Sequence, residues 1–177
     1  VRIPPGADFD ARYREFTLLR LREQISGQLG RMWEADIEFS PHLGSGGADV
    51  LSEKVELLTG LYTESGYDKV FWRTPAGSGS RYEVAAIEWD GTFRQPGAVF
   101  TRSTRDFRRI DEMLFEVMYD AFRPVAFVDE LKPREMWLTA RAGELFPPTS
   151  SRAQFQVGDY LGMSLRALDR KNLVKEI

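Results

Sequence analysis

The chain contains no cysteine and a single histidine, His42. The first absence removes any disulfide framework, thiolate nucleophile or Cys-ligated metal. The second removes the usual two- or three-His metal centre. It also means that a Ser-His-Asp triad would have to be built around His42, and no G-x-S-x-G or S-x-x-K motif accompanies it. No metal site, catalytic residue or cofactor is therefore expected. Long apolar runs are missing too: nothing approaches the about 20 residues that a membrane-spanning helix needs. The opening Val1-Arg2-Ile3-Pro4-Pro5-Gly6 lacks the apolar core of a signal peptide. Charge of one sign is equally scarce. With 24 Lys+Arg against 27 Asp+Glu the net charge is -3, and residues 124–177 are as balanced as the rest. A nucleic-acid or anionic-membrane partner relies on a concentrated positive field, which this balance does not supply.

What is present suits a folded core. An apolar fraction of 42%, with Phe 12, Tyr 6 and Trp 4, lies far from the composition of disordered chains, and 177 residues suffice for one medium domain or two small ones. After a Pro/Gly lead, Phe9, Tyr13, Phe16, Leu18, Leu21, Ile25, Leu29 and Met32 recur mostly at steps of three and four, which predicts a helix over 10–34 with Asp10 as its cap. A short strand is expected at 37–39 and a breaker-rich loop at 41–47. Leu51, Val55, Leu58 and Leu61 mark a second helix ended by Gly66. Residues 69–73 and 81–89 read as a hairpin turning at 76–80, and a third strand is expected near 98–102. Ser103 and Asp106 have capping-box spacing before a third helix, with the stripe Phe107, Ile110, Leu114, Val117 and Tyr119 or Phe122, stopped by Pro124.

Beyond Arg123 the helical period disappears, and short strands are expected at 125–128, 136–140, 154–157 and 160–168. The order of elements predicts an α+β fold: a mixed sheet covered by about three helices over residues 1–123, then a small β-rich module over 124–177. The helices are expected on one face of the sheet. Along 81–90, however, Ala85, Ile87 and Trp89 share one face and Tyr82, Val84 and Ala86 the other, so this strand should be central and covered. Glu88 is then expected to be the one partly buried carboxylate on it. The start at Val1 and the strand-like 174–177, which stops abruptly, lead us to expect a segment of a longer chain or a processed one.

Each chemistry-bearing segment has an ordinary counterpart. Gly44, Ser45, Gly46 and Gly47 lie between a strand and a helix, the order that cradles phosphates. A dinucleotide fingerprint, however, would want glycine at Asp49, and a P-loop would want Lys-Ser/Thr where Val50-Leu51 stands. Glu83, Glu88 and Asp90 are available for paired-carboxylate chemistry, but ion pairing is the commoner fate of surface acids. The most concentrated charge is the basic cluster Arg102, Arg105, Arg108 and Arg109, flanked by Phe100 and Phe107. It suits a partner-binding surface, and Asp106, Asp111 and Glu112 equally suit it to a salt-bridged helix face. Trp137, Phe146 and Tyr160 form a second aromatic candidate.

Three segments carry a resemblance to known proteins: Tyr67-Asp68-Lys69-Val70-Phe71-Trp72; Arg81-Tyr82-Glu83-Val84-Ala85-Ala86 closing on Trp89-Asp90-Gly91; and Val157-Gly158-Asp159-Tyr160-Leu161. In this order they resemble bacterial envelope proteins that place an α/β domain of the TolB N-terminal or curli-assembly type before an SH3-like β module. The resemblance implies a scaffold or assembly role in the periplasm or cell envelope, with other protein subunits or domains as partners. No functional residue carries over. The reading is thus a non-catalytic structural or interaction segment, with Arg102, Arg105, Arg108, Arg109 and Trp137 as contact residues. The alternative is a small-molecule binder or hydrolase using the loop from Gly44 to Gly47 or the acids near Glu88.

Overall fold

Helix α1 (Ala11–Leu29) buries Leu21, Ile25 and Leu29, and the 3-10 turn that follows adds Met32. Its inner stripe is rotated from the expected one: Phe16 points to solvent and Thr17 is buried in its place. The helix stops at Gly30, whose φ of 57° is the left-handed conformation that glycine adopts without strain. These positions come from a computed structural model that describes residues 2–3, 11–39, 47–62, 67–78, 81–141, 155–163, 166–168 and 174–176.

The remaining elements are β1 (Arg2–Ile3), β2 (Glu38–Phe39), α2 (Gly47–Tyr62), β3 (Lys69–Ser78), β4 (Arg81–Asp90), β5 (Gln95–Thr104), α3 (Ile110–Ala121), β6 (Ala126–Lys132), β7 (Glu135–Ala140), β8 (Arg166–Leu168) and β9 (Val174–Glu176). The fold is α+β. A mixed sheet runs in the order β2-β1-β3-β4-β5, with β1 parallel to both neighbours and β3-β4-β5 antiparallel. Two separate two-stranded ladders, β6-β7 and β8-β9, follow in the C-terminal part.

Helices cover both faces of the sheet, contrary to the one-face expectation. Helices α1 and α3 lie on the face of Phe71, Val84 and Ala86, while α2 lies on that of Val70, Trp72, Ala85, Ile87 and Trp89. The cause is the two-sided apolar strand β4, which leaves two surfaces to be removed from water at about 25 cal/mol per Å². Helix α3 is buried nearly all round, including Phe115 and Met118, because it packs against β4, β5 and α1 together. Trp33 closes the end of this layer, stacking on Phe71 at 5.3 Å and meeting Phe122 edge-on at 4.8 Å.

Several boundaries differ from expectation. Strand β3 continues through Pro75 to Ser78, so residues 76–78, expected in the turn, belong to the strand, and the rest of the expected turn lies outside the described residues. Strand β5 begins at Gln95 and runs through Pro96 and Gly97, which an edge strand tolerates. Asp106 acts alone, accepting from the Arg108 backbone N–H at 3.0 Å, and caps the 3-10 turn Phe107–Arg109 that leads into α3. Residues 155–157, expected as a strand, instead enter a turn at Gly158 (φ 102°). It is closed by the Asp159 N–H on the Gln156 carbonyl and by the Asp159 carboxylate accepting from the Gln156 N–H. Of the strand expected over 160–168, only β8 forms among the described residues.

Candidate functional site

Hairpin pairing of β3 with β4 sets Lys69 opposite Asp90 and Phe71 opposite Glu88. Side chains at 69, 71, 88 and 90 then share the α1/α3 face, and two carboxylates converge on one ammonium. Lys69 Nζ contacts Glu88 Oε1, lies 2.6 Å from Asp90 Oδ2 and donates to the Arg123 carbonyl at 2.7 Å. Glu88 Oε2 also accepts from the Arg123 backbone N–H at 2.8 Å and faces its guanidinium at 3.3 Å. Both carboxylates are fully buried, so Glu88 is not the only one on its strand. Burial pushes the Glu88 carboxyl above the ordinary carboxylate range, although Lys69 and Arg123 pull the other way. The acids near Glu88 are thus turned inward onto cations, in an arrangement that fixes the exit of α3 against the sheet.

The same corner anchors the C-terminal part. Asp90 Oδ1 accepts from the Thr92 and Phe93 N–H groups at 2.7 and 3.0 Å, and the Gly91 N–H donates to the Asp68 carbonyl at 2.8 Å. A side chain at position 91 would stand 2.3 Å from the Tyr67 carbonyl oxygen, so this close approach requires glycine. From the foot of the β6-β7 hairpin, the Arg141 guanidinium reaches both Asp68 and the Thr92 hydroxyl, and its N–H donates to the Val125 carbonyl at 2.9 Å. Sequence reasoning missed Lys69, Arg123 and Arg141. The hairpin register alone would have placed Lys69 beside Asp90. Nothing local marks Arg123 or Arg141.

The arginine cluster is divided among acids. Arg102, on β5, is held bidentately by Asp120 at 2.6 and 2.9 Å, with Glu116 at 3.9 Å. Arg108 pairs with Asp106 at 3.0 Å and Arg109 with Glu112 at 2.9 Å, while Arg105 is exposed. The structure spreads these residues along α3: Arg108 and Arg109 stand just before its first turn, whereas Arg102 is held by Asp120 of its last. It does not bring Trp137 into the same set, because that residue lies on the β6-β7 hairpin.

On that hairpin Phe127, Val128, Leu131, Met136, Trp137 and Leu138 are all exposed. Pairing runs regularly from Ala126 with Ala140 to Val128 with Leu138. It then skips Asp129, so that Glu130 faces Trp137 and Leu131 faces Met136. Such a bulge inserts one residue and reverses the facing of everything beyond it. Leu131 is thereby transferred to the side of Val128, and one face becomes wholly apolar: Ala126, Val128, Leu131, Met136, Leu138 and Ala140. Leu131 is 69% exposed, and Val128, Met136 and Leu138 are exposed as well. The other face is mixed. Trp137, 58% exposed, lies under Lys132 at 5.8 Å, Thr139 bonds to Asp129, and Lys132 pairs with Glu130 at 3.1 Å.

His42, Gly44, Ser45, Gly46 and Phe146 lie outside the described residues; Gly47 opens α2, and Tyr160 is exposed. Among the described residues no group of three or more His, Asp or Glu could hold a metal ion, and no helix is long and apolar enough to cross a membrane. No family model, curated protein or solved structure matches the chain.

Proposed function

We propose that this chain is a non-catalytic, protein-interaction segment of a larger bacterial cell-envelope protein, and that it contacts another subunit or domain through the apolar face of β6-β7. The observation that carries the reading is the outward display of Val128, Leu131, Met136 and Leu138 on a ladder of only two strands. A two-stranded ladder is marginal in water by itself, and a contiguous exposed apolar patch on it suits a protein surface that covers it. Trp137, exposed on the reverse face, adds a residue type that interfaces favour. The resemblance of the chain to envelope assembly proteins supports the cell envelope as the setting.

The reading is tested by placing a photo-crosslinking side chain at Met136 and exposing the purified protein to envelope extract. Capture of a defined protein is expected, and Leu131→Glu combined with Leu138→Glu should reduce it at least tenfold. If the protein stays a monodisperse monomer and captures nothing, or if the double variant captures as well as the parent, the surface is not an interface.

A further inference from the structure

The residue least explained by the fold is Arg73. It stands on β3 opposite Ala86, on the side covered by α1 and α3, and is fully buried. Its Nη1 donates to the Leu114 carbonyl of α3 at 2.5 Å, while Nε and Nη2 have no hydrogen-bond partner. Burial lowers its pKa to about 9, which leaves the guanidinium charged at neutral pH. A buried charge without a counter-charge is far costlier than a neutral donor left unmade.

The described carboxylates on the surrounding elements are engaged elsewhere or face solvent. On α3, Asp111 pairs with Arg20, Glu112 with Arg109, and Glu116 and Asp120 with Arg102. Glu88 and Asp90 of β4 are held by Lys69. On α1, Glu23 pairs with Arg20 and Glu15 is exposed. Elsewhere on this side of the sheet, Thr17 Oγ1 and Gln24 Oε1 of α1 are also buried without partners.

We propose that Arg73 is the base of a buried site for a small monovalent anion, a halide or the carboxylate of a small ligand, within the α1/α3 layer of the sheet. Such an anion supplies the missing counter-charge and accepts from Nε and Nη2 together, the fork geometry that guanidinium groups offer to carboxylates. Water could fill the hydrogen bonds but would leave the charge uncompensated. Anion and fold are then linked, because binding to the native state alone raises its stability.

The full chain is melted at constant ionic strength while sodium gluconate, a far larger anion, is replaced stepwise by sodium chloride or by sodium acetate. A saturable rise in the midpoint is expected, about 5 °C or more at a hundredfold excess over Kd. Response to acetate as well as chloride assigns the site to carboxylate ligands, and response to chloride alone assigns it to halide. Arg73→Met, which fills similar space without charge, should lose the response. Should that variant not fold, Arg73→Lys must shift the half-saturating concentration upward at least tenfold. A flat profile for the parent protein would mean that water alone satisfies the donors. An undiminished response in the variants would place the anion on the surface. Either result overturns the proposal.

Discussion

Glu88 is held by two cations, Lys69 and Arg123, yet its environment favours the protonated form, because the loss of hydration on burial outweighs both attractions. The sign of the consequence is definite. A carboxyl that binds its proton more tightly when folded contributes stability below its unfolded pKa, about 4.3, and loses that contribution as pH rises through the raised folded value. Glu88→Gln has no such proton to lose. The stability of the parent minus that of the variant should therefore decline as pH increases upward from about 4, and then level off. Urea denaturation of both proteins at half-unit pH steps measures the difference. A difference that stays flat, or that grows with pH, would mean that the ion pairs dominate over burial.

At the scale of elements, what the sequence makes legible depends on whether the deciding interaction is local. The two faces of β4 follow from alternation alone, and both sets of residues pack as the alternation requires. The existence and order of α1, α2 and α3 follow from apolar spacing in the same way. Phe16 differs from its expected facing because three-and-four spacing fits two adjacent stripes, and only packing against α3 selects the one containing Thr17 and Leu21. The reach of β3 through Pro75 and of β5 through Pro96 was hidden because proline and glycine signal breaks locally, whereas pairing with β4 holds both strands extended. The apolar face of β6-β7 was hidden by its bulge: Asp129-Glu130 breaks the alternation, and only the observed register restores it. These facings give opposite expectations for two leucines. Leu114→Ala, at a fully buried position of α3, should cost about 2–5 kcal/mol. Leu131→Ala, at a position facing solvent, should change stability by less than about 0.5 kcal/mol while weakening partner capture. Denaturant midpoints for the two variants decide this, and comparable losses would contradict the assignment of Leu131 to an open face.

For the molecule as a whole, the question is how the C-terminal ladder is joined to the helix-covered sheet. The ends of α3 and β3 share the Lys69 cluster, and Arg123 connects directly to residues 124–125 and then β6. On the return side the connection seen among the described residues is the Arg141 side chain, touching Asp68 and Thr92. Both arginines of this junction are legible only in three dimensions, since their acceptors are 35 to 73 residues away. A partly exposed ion pair contributes about 1 kcal/mol or less, so Arg141→Ala should leave the melting of the main sheet nearly unchanged. The hairpin itself is another matter: two strands with an uncovered apolar face have little else to hold them in place. In the variant, amides of β6 and β7 should exchange about two- to fivefold faster than in the parent, as a loss of up to about 1 kcal/mol implies, with those of β3 and β4 unaffected. Equal protection of hairpin and sheet in the Arg141→Ala protein would show that the ladder is an integral part of the sheet's cooperative unit. Selective loss would instead make β6-β7 an appendage oriented by Arg141, with its apolar face held outward for the partner that covers it.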